Sequence, residues 1–305
     1  MKTIAKLLVL ILLCGLLVAC APAQEAQIAA TTLPVYQFTS LLCEGTPLTV
    51  TRLITEQVSC IHDYTLTVSQ MRAIEGAELV IISGAGLEEF MAEALENAET
   101  IVDSSVSIDL LESEHHHHHE GEESEAEEDH DHEDTHDHEH EPDAHIWLAP
   151  ENARVMAQNI CEGLCAQYPE YEETFRANLA PLEARFAELQ SYAEGQLADL
   201  SSRELITFHD GFSYLAHAFD LEILEAIEEE SGSEPSAQEL IELIETVEHH
   251  GVAAIFTETN GSSSAASVIS AETGVPVFTL DMAMSGEDYF ESMYRNIDAL
   301  KEALS

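Results

Sequence analysis

The sequence predicts an α/β protein of two lobes, each with a mostly parallel sheet flanked by helices, joined by a long interlobe helix. Short apolar runs alternate with helical segments in both halves of the chain, and this alternation favours parallel sheets. Between residues 168 and 201 the alternation stops and the pattern stays helical. A mature chain of roughly 285 residues is long enough for two lobes that each carry a core.

In the first lobe, Pro34 is suited to the first turn of a helix, and Ser69 is a residue type that caps one. The continuous apolar run Leu79–Ile82 is typical of a strand buried on both faces. We predict strands at Gln27–Thr32, Leu48–Ile54, Leu79–Ile82 and from Ile101, and helices at Pro34–Leu42, Ser69–Gly76, Leu87–Ala98 and Pro150–Gln167.

The interlobe segment is rich in Glu, Ala and Leu, and as one helix it would be about 50 Å long. Pro181 lies inside it and should kink or split the helix. After it, the second lobe repeats the α/β pattern. We predict strands at Leu205–Phe208, Glu222–Ala226, Ala253–Thr257 and Val277–Leu280, and helices from Gly211, at Ser236–His250, at Ser263–Thr273 and from Gly286.

The N-terminus has the pattern of an export signal, because Lys2 and Lys6 precede a short apolar stretch. The segment Leu17-Val18-Ala19-Cys20 resembles the bacterial lipobox, whose cysteine carries the lipid; an ordinary secretory signal is the alternative. We therefore divide the chain into a lipoprotein signal peptide (1–19), a tether (20–26), an N-terminal lobe (27–167), an interlobe helix (168–201) and a C-terminal lobe (202–305).

An acidic, histidine-rich insert at 112–143 interrupts the first lobe and contains neither Lys nor Arg. A segment with so little apolar surface should be a disordered loop. Imidazoles among carboxylates predict many weak sites for divalent ions such as zinc. The alternative is that the insert is a purification tag or an inert spacer. The candidate loop ligands are His115, His116, His117, His118, His119, His130, His132, His136, His138 and His140.

The formal net charge of -49 excludes nucleic acid as a partner, since phosphate contacts need Lys and Arg. Cys43 and Cys60 could close a short disulfide loop worth about 3 kcal/mol. Cys161 and Cys165 stand four residues apart on a predicted helix and could form a soft-metal pair. The sequence leaves three cysteine pairings open.

Four residues outside the insert could together hold one ion. His62 lies in a turn between a strand and a helix, and His145 lies where the insert gives way to apolar chain. His209 and Asp281 each follow a predicted strand, and ligands of open α/β sheets bind beyond the carboxyl ends of strands. Three imidazoles and one carboxylate make a tetrahedral zinc site. Taken singly, each residue could equally be an ordinary loop or cap residue.

Several segments resemble the motifs of the zinc and manganese solute-binding lipoproteins of ABC transporters. Residues 62–72 (HDYTLTVSQMR) resemble the H-D-Y/F-x-x-T/S-P-x-D/Q segment of that family, and residues 145–152 (HIWLAPEN) resemble D-P-H-x-W-L-x-P. Residues 207–215 (TFHDGFSYL) resemble F-H-D-A-F-x-Y-F, and residues 255–258 (IFTE) resemble a strand ending in E-x-Q. The resemblance covers nearly the whole mature chain, and family members often carry a His-rich acidic loop at the same place.

The resemblance implies His62, His145, His209 and Asp281 as metal ligands. Manganese-selective relatives usually have a carboxylate at the third position, so a nitrogen from His209 favours Zn²⁺ over Mn²⁺. The chain departs from the motifs at Val68, at Ala144 and after Asp281, and Glu258 or a water could replace Asp281 as the fourth ligand.

The function implied is that of an exported receptor, lipid-anchored to the membrane, that captures Zn²⁺ between its lobes. It would deliver the ion to an ABC permease driven by a separate ATPase, since the chain has no Walker motif. We expect a monomer that is not an enzyme. The alternatives are a zinc-dependent hydrolase, which would need an open coordination position, and a surface metal buffer or adhesin.

Overall fold

The computed structural model describes residues 27–58, 61, 64–111, 142–228 and 235–305. They form two four-stranded sheets in which every pairing is parallel, with strand orders β2-β1-β3-β4 and β6-β5-β7-β8. The strands are β1 (Ile28–Ala30), β2 (Val50–Arg52), β3 (Leu79–Ile82), β4 (Ile101–Asp103), β5 (Glu204–His209), β6 (Glu222–Glu228), β7 (Ile255–Glu258) and β8 (Val277–Leu280). The predicted fold class of two parallel α/β lobes is confirmed.

Helices cover the sheets and connect the lobes. The α-helices are α1 (Leu33–Leu42), α2 (Val68–Gly76), α3 (Ala92–Leu95), α4 (Pro150–Gln167), α5 (Glu172–Gln196), α6 (Ser213–Ala218), α7 (Ala237–His250), α8 (Ser264–Thr273) and α9 (Tyr289–Leu304). Short 3₁₀ turns lie at Glu89–Met91, Ile146–Leu148 and Pro169–Tyr171. Most predicted helices are present within a few residues of their expected ends.

Helix α2 begins one residue earlier than predicted, and the prediction of Ser69 as its N-cap is wrong. Thr67 caps the helix, because its hydroxyl accepts from the Gln70 amide while the Gln70 side chain accepts from the Thr67 amide. This reciprocal pair satisfies two backbone donors at once, which a cap at Ser69 could not do. The predicted helix at Leu87–Ala98 is also shorter, consisting of one 3₁₀ turn followed by α3.

The long helix α5 runs through Pro181 without splitting. Pro181 lies on the exposed side, where water can bind the carbonyl group that loses its helical donor. The buried side chains of α5, including Phe175 and Phe186, face the rest of the protein. In the described part of the chain, no helix combines the length and the apolar character needed to cross a bilayer.

An aromatic cluster joins the two lobes through α5. Phe186 of α5 packs edge-on against Phe38 of α1 and contacts Phe290 of α9, with both ring-centroid distances at 5.1 Å. Tyr289 completes the cluster at 5.1 Å from Phe38. All four side chains are almost fully buried, so the lobes share one continuous apolar core and separating them would expose it to water.

Hydrogen bonds beside this cluster also cross between the lobes. The Gln37 side chain donates to the Asp288 carboxylate at 2.8 Å and accepts from the Tyr289 amide at 2.7 Å. The guanidinium of Arg52 donates to the Gly286 carbonyl at 2.7 Å. The loop between β8 and α9 therefore belongs to the second lobe in sequence but is bonded to the first.

The described cysteines give no support to the disulfide or to the soft-metal pair that the sequence suggests. Cys43 is a buried free thiol at the end of α1, on the amino edge of the first sheet, whereas Cys60 lies outside the described residues. Cys161 and Cys165 are buried free thiols on one helix. Burial raises the pKa of Cys43 and of Cys161 to about 12, which disfavours the thiolate that a metal ion would require.

We predict that Tyr289→Phe lowers the free energy of unfolding by about 1–2 kcal/mol, because it removes a buried hydrogen bond. The Tyr289 hydroxyl donates to the Trp147 carbonyl at 2.7 Å across the lobes. Urea denaturation followed by circular dichroism measures the change. Tyr192→Phe is the matched control, since its hydroxyl bonds the Asp298 carboxylate at the surface; equal losses in the two variants would contradict the account.

Candidate metal site

The carboxyl edge of the second sheet brings titratable side chains together. The strand order β6-β5-β7-β8 places the strand ends Glu228, His209 and Glu258 side by side, and Asp281 directly follows β8. Parallel strands all end at the same edge, which is where open α/β sheets bind ligands. The sequence prediction that His209 and Asp281 share this edge is confirmed by the strand order.

His209 is buried, and its Nδ1 is hydrogen-bonded to Oε1 of Glu258, which is also buried. A carboxylate can only accept, so the ring donates from Nδ1 and carries its lone pair on Nε2. Within the described part of the chain, Nε2 of His209 and Oε2 of Glu258 have no hydrogen-bond partner. Buried polar atoms are rarely left unsatisfied, so this nitrogen is suited to a ligand such as a metal ion.

His145 is held in the same way from the first lobe. Oδ1 of Asp143 accepts from both the backbone amide and Nδ1 of His145, each at 2.8 Å. Burial alone would raise the pKa of Asp143, but its hydrogen bonds with the side chain and the amide of His145 hold that pKa below its usual value. The sequence assigned Asp143 to the disordered insert, and this assignment is wrong because the residue is 5% exposed and ordered.

The two imidazoles lie beside each other at the junction of the lobes. The ring centroids of His145 and His209 are 5.5 Å apart, and the ring planes are inclined at 78°. Two imidazoles bound through nitrogen to one tetrahedral zinc ion would have centroids about 5 Å apart, given Zn–N bonds of about 2.0–2.1 Å. The described geometry is therefore close to that of a shared ion.

Trp147 fixes the position of His145 relative to the second lobe. Its indole N–H donates to the Met282 carbonyl at 2.7 Å, and its ring is 5.4 Å from that of His145. Trp147 is fully buried, so this tie between the lobes is protected from water.

The first predicted ligand, His62, lies outside the described residues. Of its neighbours, Ile61 is fully buried, and the Tyr64 amide donates to the Ile61 carbonyl at 3.0 Å. The Gln70 side chain anchors this turn by donating to the Tyr64 hydroxyl and to the Leu53 carbonyl, both at 2.8 Å. The part of the turn that the structure describes is therefore tied to α2 and to the chain after β2.

Asp281 faces α9 rather than presenting an unbonded carboxylate. Its Oδ1 accepts from the Ala283 amide at 2.8 Å, and its Oδ2 accepts from the Ser292 hydroxyl at 3.0 Å and from Arg295 at 3.3 Å. Among the described residues, no group of three or more His, Cys, Asp or Glu side chains is arranged to hold a metal ion. The assignment of Asp281 as fourth ligand stays a prediction, and in this conformation its oxygens are engaged elsewhere.

Sequence reasoning missed the role of two carboxylates. The composition places Asp143 in the insert, although its position two residues before a candidate histidine is a signal for a carboxylate partner. The motifs offer Glu258 only as a substitute ligand. Its contact with His209 depends on β7 lying next to β5, and the sequence did not predict that strand order.

The two ends of the histidine-rich insert meet at this site, although its ten histidines and Cys20 lie outside the described residues. The Asp143 amide donates to the Leu111 carbonyl at 2.9 Å and thereby closes the base of the insert. The Leu111 amide donates to the Tyr214 hydroxyl of α6, also at 2.9 Å. Asp143 thus belongs both to the base of the insert and to the hydrogen-bonded pair with His145.

Comparison with known proteins agrees with this architecture. The model of the family "zinc-uptake complex component A, periplasmic" matches residues 28–303. The match spans both lobes, and the chain belongs to this family.

Individual relatives and solved structures also resemble this chain over most of its length. The zinc-binding lipoprotein AdcA of Streptococcus pneumoniae (strain ATCC BAA-255 / R6) is 32% identical over 326 residues, which cover 99% of this chain and 61% of that protein. The chain therefore spans less than two thirds of that relative. A crystal structure of ZnuA superposes with a TM-score of 0.75 at 28% identity, covering 92% of this chain and 100% of the other. The Zn(II)-bound ZnuA-like domain of Streptococcus pneumoniae AdcA gives 0.73 at 26% identity, covering 92% and 99%.

Proposed function

We propose that the protein captures Zn²⁺ between its two lobes and delivers it to a membrane permease driven by a separate ATPase. As a member of the zinc-uptake family it is a solute-binding component of an ABC zinc-uptake system. The observation that carries the proposal is the pairing of His145 and His209, buried side chains from different lobes that lie 5.5 Å apart. Each is already oriented by a carboxylate on its Nδ1.

The proposed ligands are His62, His145 and His209, with Asp281 in the fourth place. Three imidazole nitrogens favour zinc over Mn²⁺, which prefers oxygen ligands. Asp281 would have to leave its contacts with α9 in order to bind the ion. A water is the alternative in the fourth place, since Glu258 is engaged with His209 in this structure.

The enzymatic alternative, a zinc-dependent hydrolase, receives no support from the comparisons. The matched family is a component of zinc uptake, and the AdcA lipoprotein and its ZnuA-like domain bear names that describe zinc binding. A hydrolytic zinc would need an open coordination position for water and a base beside it. The surface buffer or adhesin is likewise not favoured, because family membership assigns the chain to transport.

We propose that the chain is exported and anchored to the membrane through lipid on Cys20. The lipobox-like segment at 17–20 supports this, as does the description of the AdcA relative as a lipoprotein. The anchor would hold the receptor close to the permease, which shortens the distance over which captured zinc must travel. Within this arrangement the protein would act as a monomer.

We predict that deleting residues 113–141 leaves one tight zinc site and removes several weak ones. Ions bound by the insert must order the chain, at a cost of about 1–2 kcal/mol for each residue fixed. The cleft histidines are already oriented, so their site should be much tighter. Isothermal titration of both proteins with Zn²⁺ measures the number of sites and their affinities.

The matched control for the deletion is the full chain with His62, His145 and His209 changed together to Ala. This variant should keep the weak sites and lose the tight one. Loss of the tight site in the deletion protein, with its retention in the triple variant, would show that the insert holds the transported ion and would overturn the proposal.

We predict that Cys20→Ala releases the protein from the membrane or leaves it unprocessed, since the lipid has no other attachment point in the proposed scheme. Membrane fractionation and incorporation of a labelled fatty acid measure the effect. Cys14→Ala is the control, because this cysteine lies inside the proposed signal. A Cys20→Ala protein that still incorporates lipid would refute the assignment.

A further inference from the structure

We propose that Glu258 and Gly211 position His209, with Glu258 acting as an orienting residue and not as a ligand of the ion. The inference rests on the proposed function, because it concerns the geometry of a histidine that we assign to zinc. Neither residue was assigned this role from the sequence, in which Glu258 was an alternative fourth ligand.

The first observation is the placement of Glu258. It ends β7, the strand next to β5, and its Oε1 is bonded to Nδ1 of His209 with both side chains almost fully buried. A carboxylate on Nδ1 fixes the tautomer that presents Nε2 to a metal ion. It also prevents the ring from rotating, so the ligand is oriented before the ion arrives.

The second observation is the close approach of Gly211 to the opposite side of the same ring. The Gly211 amide donates to the His209 carbonyl at 3.0 Å in a tight turn. A Cβ atom at Gly211 would lie 2.6 Å from Nε2 of His209 and 3.0 Å from Cε1. Such distances are shorter than van der Waals contact, so any other residue would force the ring to move.

The space beside Gly211 matters for the ion as well as for the ring. An ion bound to Nε2 would lie about 2.0–2.1 Å from that nitrogen, and a methyl group 2.6 Å from the same atom would crowd it. The Met282 methyl group also lies 3.0 Å from this Cβ position, but it is the end of a flexible side chain and can move.

Glu258 and Gly211 act on opposite sides of the His209 ring. Glu258 holds Nδ1, and the bare backbone of Gly211 leaves room beside Nε2. The other oxygen of Glu258, Oε2, is buried and has no hydrogen-bond partner among the described residues. If Glu258 served as a ligand instead, it would have to release Nδ1 and leave the ring without its orienting partner.

The test compares Glu258→Ala, Glu258→Gln and Gly211→Ala in the full chain, with zinc affinity measured by competition against a chelator. Loss of an orienting partner typically weakens metal binding by about 10–100-fold. We expect that loss in Glu258→Ala, and a comparable loss in Gly211→Ala. Glu258→Gln should recover most of the affinity, because its amide oxygen can still accept from Nδ1. Glu222→Ala, at an exposed position, and Gly195→Ala, where a Cβ meets nothing within 4 Å, are the matched controls.

The visible spectrum of the Co²⁺-loaded protein separates an orienting residue from a ligand. Co²⁺ absorption depends on the number and kind of atoms bound, so Co²⁺-saturated Glu258→Gln should keep the wild-type bands. A changed spectrum in this variant, or unchanged zinc affinity in Glu258→Ala or in Gly211→Ala, would overturn the inference. Absence of any tight zinc site in the wild-type protein would instead refute the proposed function itself.

Discussion

The hydrogen bonds around Trp147 decide whether the two histidines can meet. Trp147 donates to the Met282 carbonyl and accepts, through its own carbonyl, from the Tyr289 hydroxyl. Both partners belong to the second lobe, whereas Trp147 follows His145 in the first. Because Trp147 and Tyr289 are fully buried, breaking these bonds without replacement would leave polar atoms unsatisfied. The lobes are therefore joined at the place where His145 and His209 lie beside each other.

Two carboxylates prepare the site chemically, and burial gives them their strength. Asp143 and Glu258 each bond Nδ1 of a histidine from their own lobe. In a buried site these contacts are stronger than in water and make it costly for the rings to turn away. A receptor built in this way can bind its ion with little reordering, so more of the binding energy appears as affinity.

The sequence predicted the fold well, because alternating apolar strands and helices leave few other arrangements. It also identified His145 and His209 by their motifs. It could not predict contacts that depend on strand order, such as that between Glu258 and His209. Nor could it show that Ser292 and Arg295 of α9 bond Asp281. The Cys43–Cys60 pairing stays a prediction, because Cys60 lies outside the described residues.

We expect one zinc ion to bind jointly to His145 and His209. Zinc K-edge X-ray absorption on the protein loaded with one equivalent of Zn²⁺ measures the atoms around the ion. The wild-type protein should show imidazole nitrogens at about 2.0–2.1 Å, and the variant with both histidines changed to Ala should show fewer of them and a weaker affinity. An unchanged spectrum and affinity in that double variant would contradict it, because the ion would then be held elsewhere in the chain.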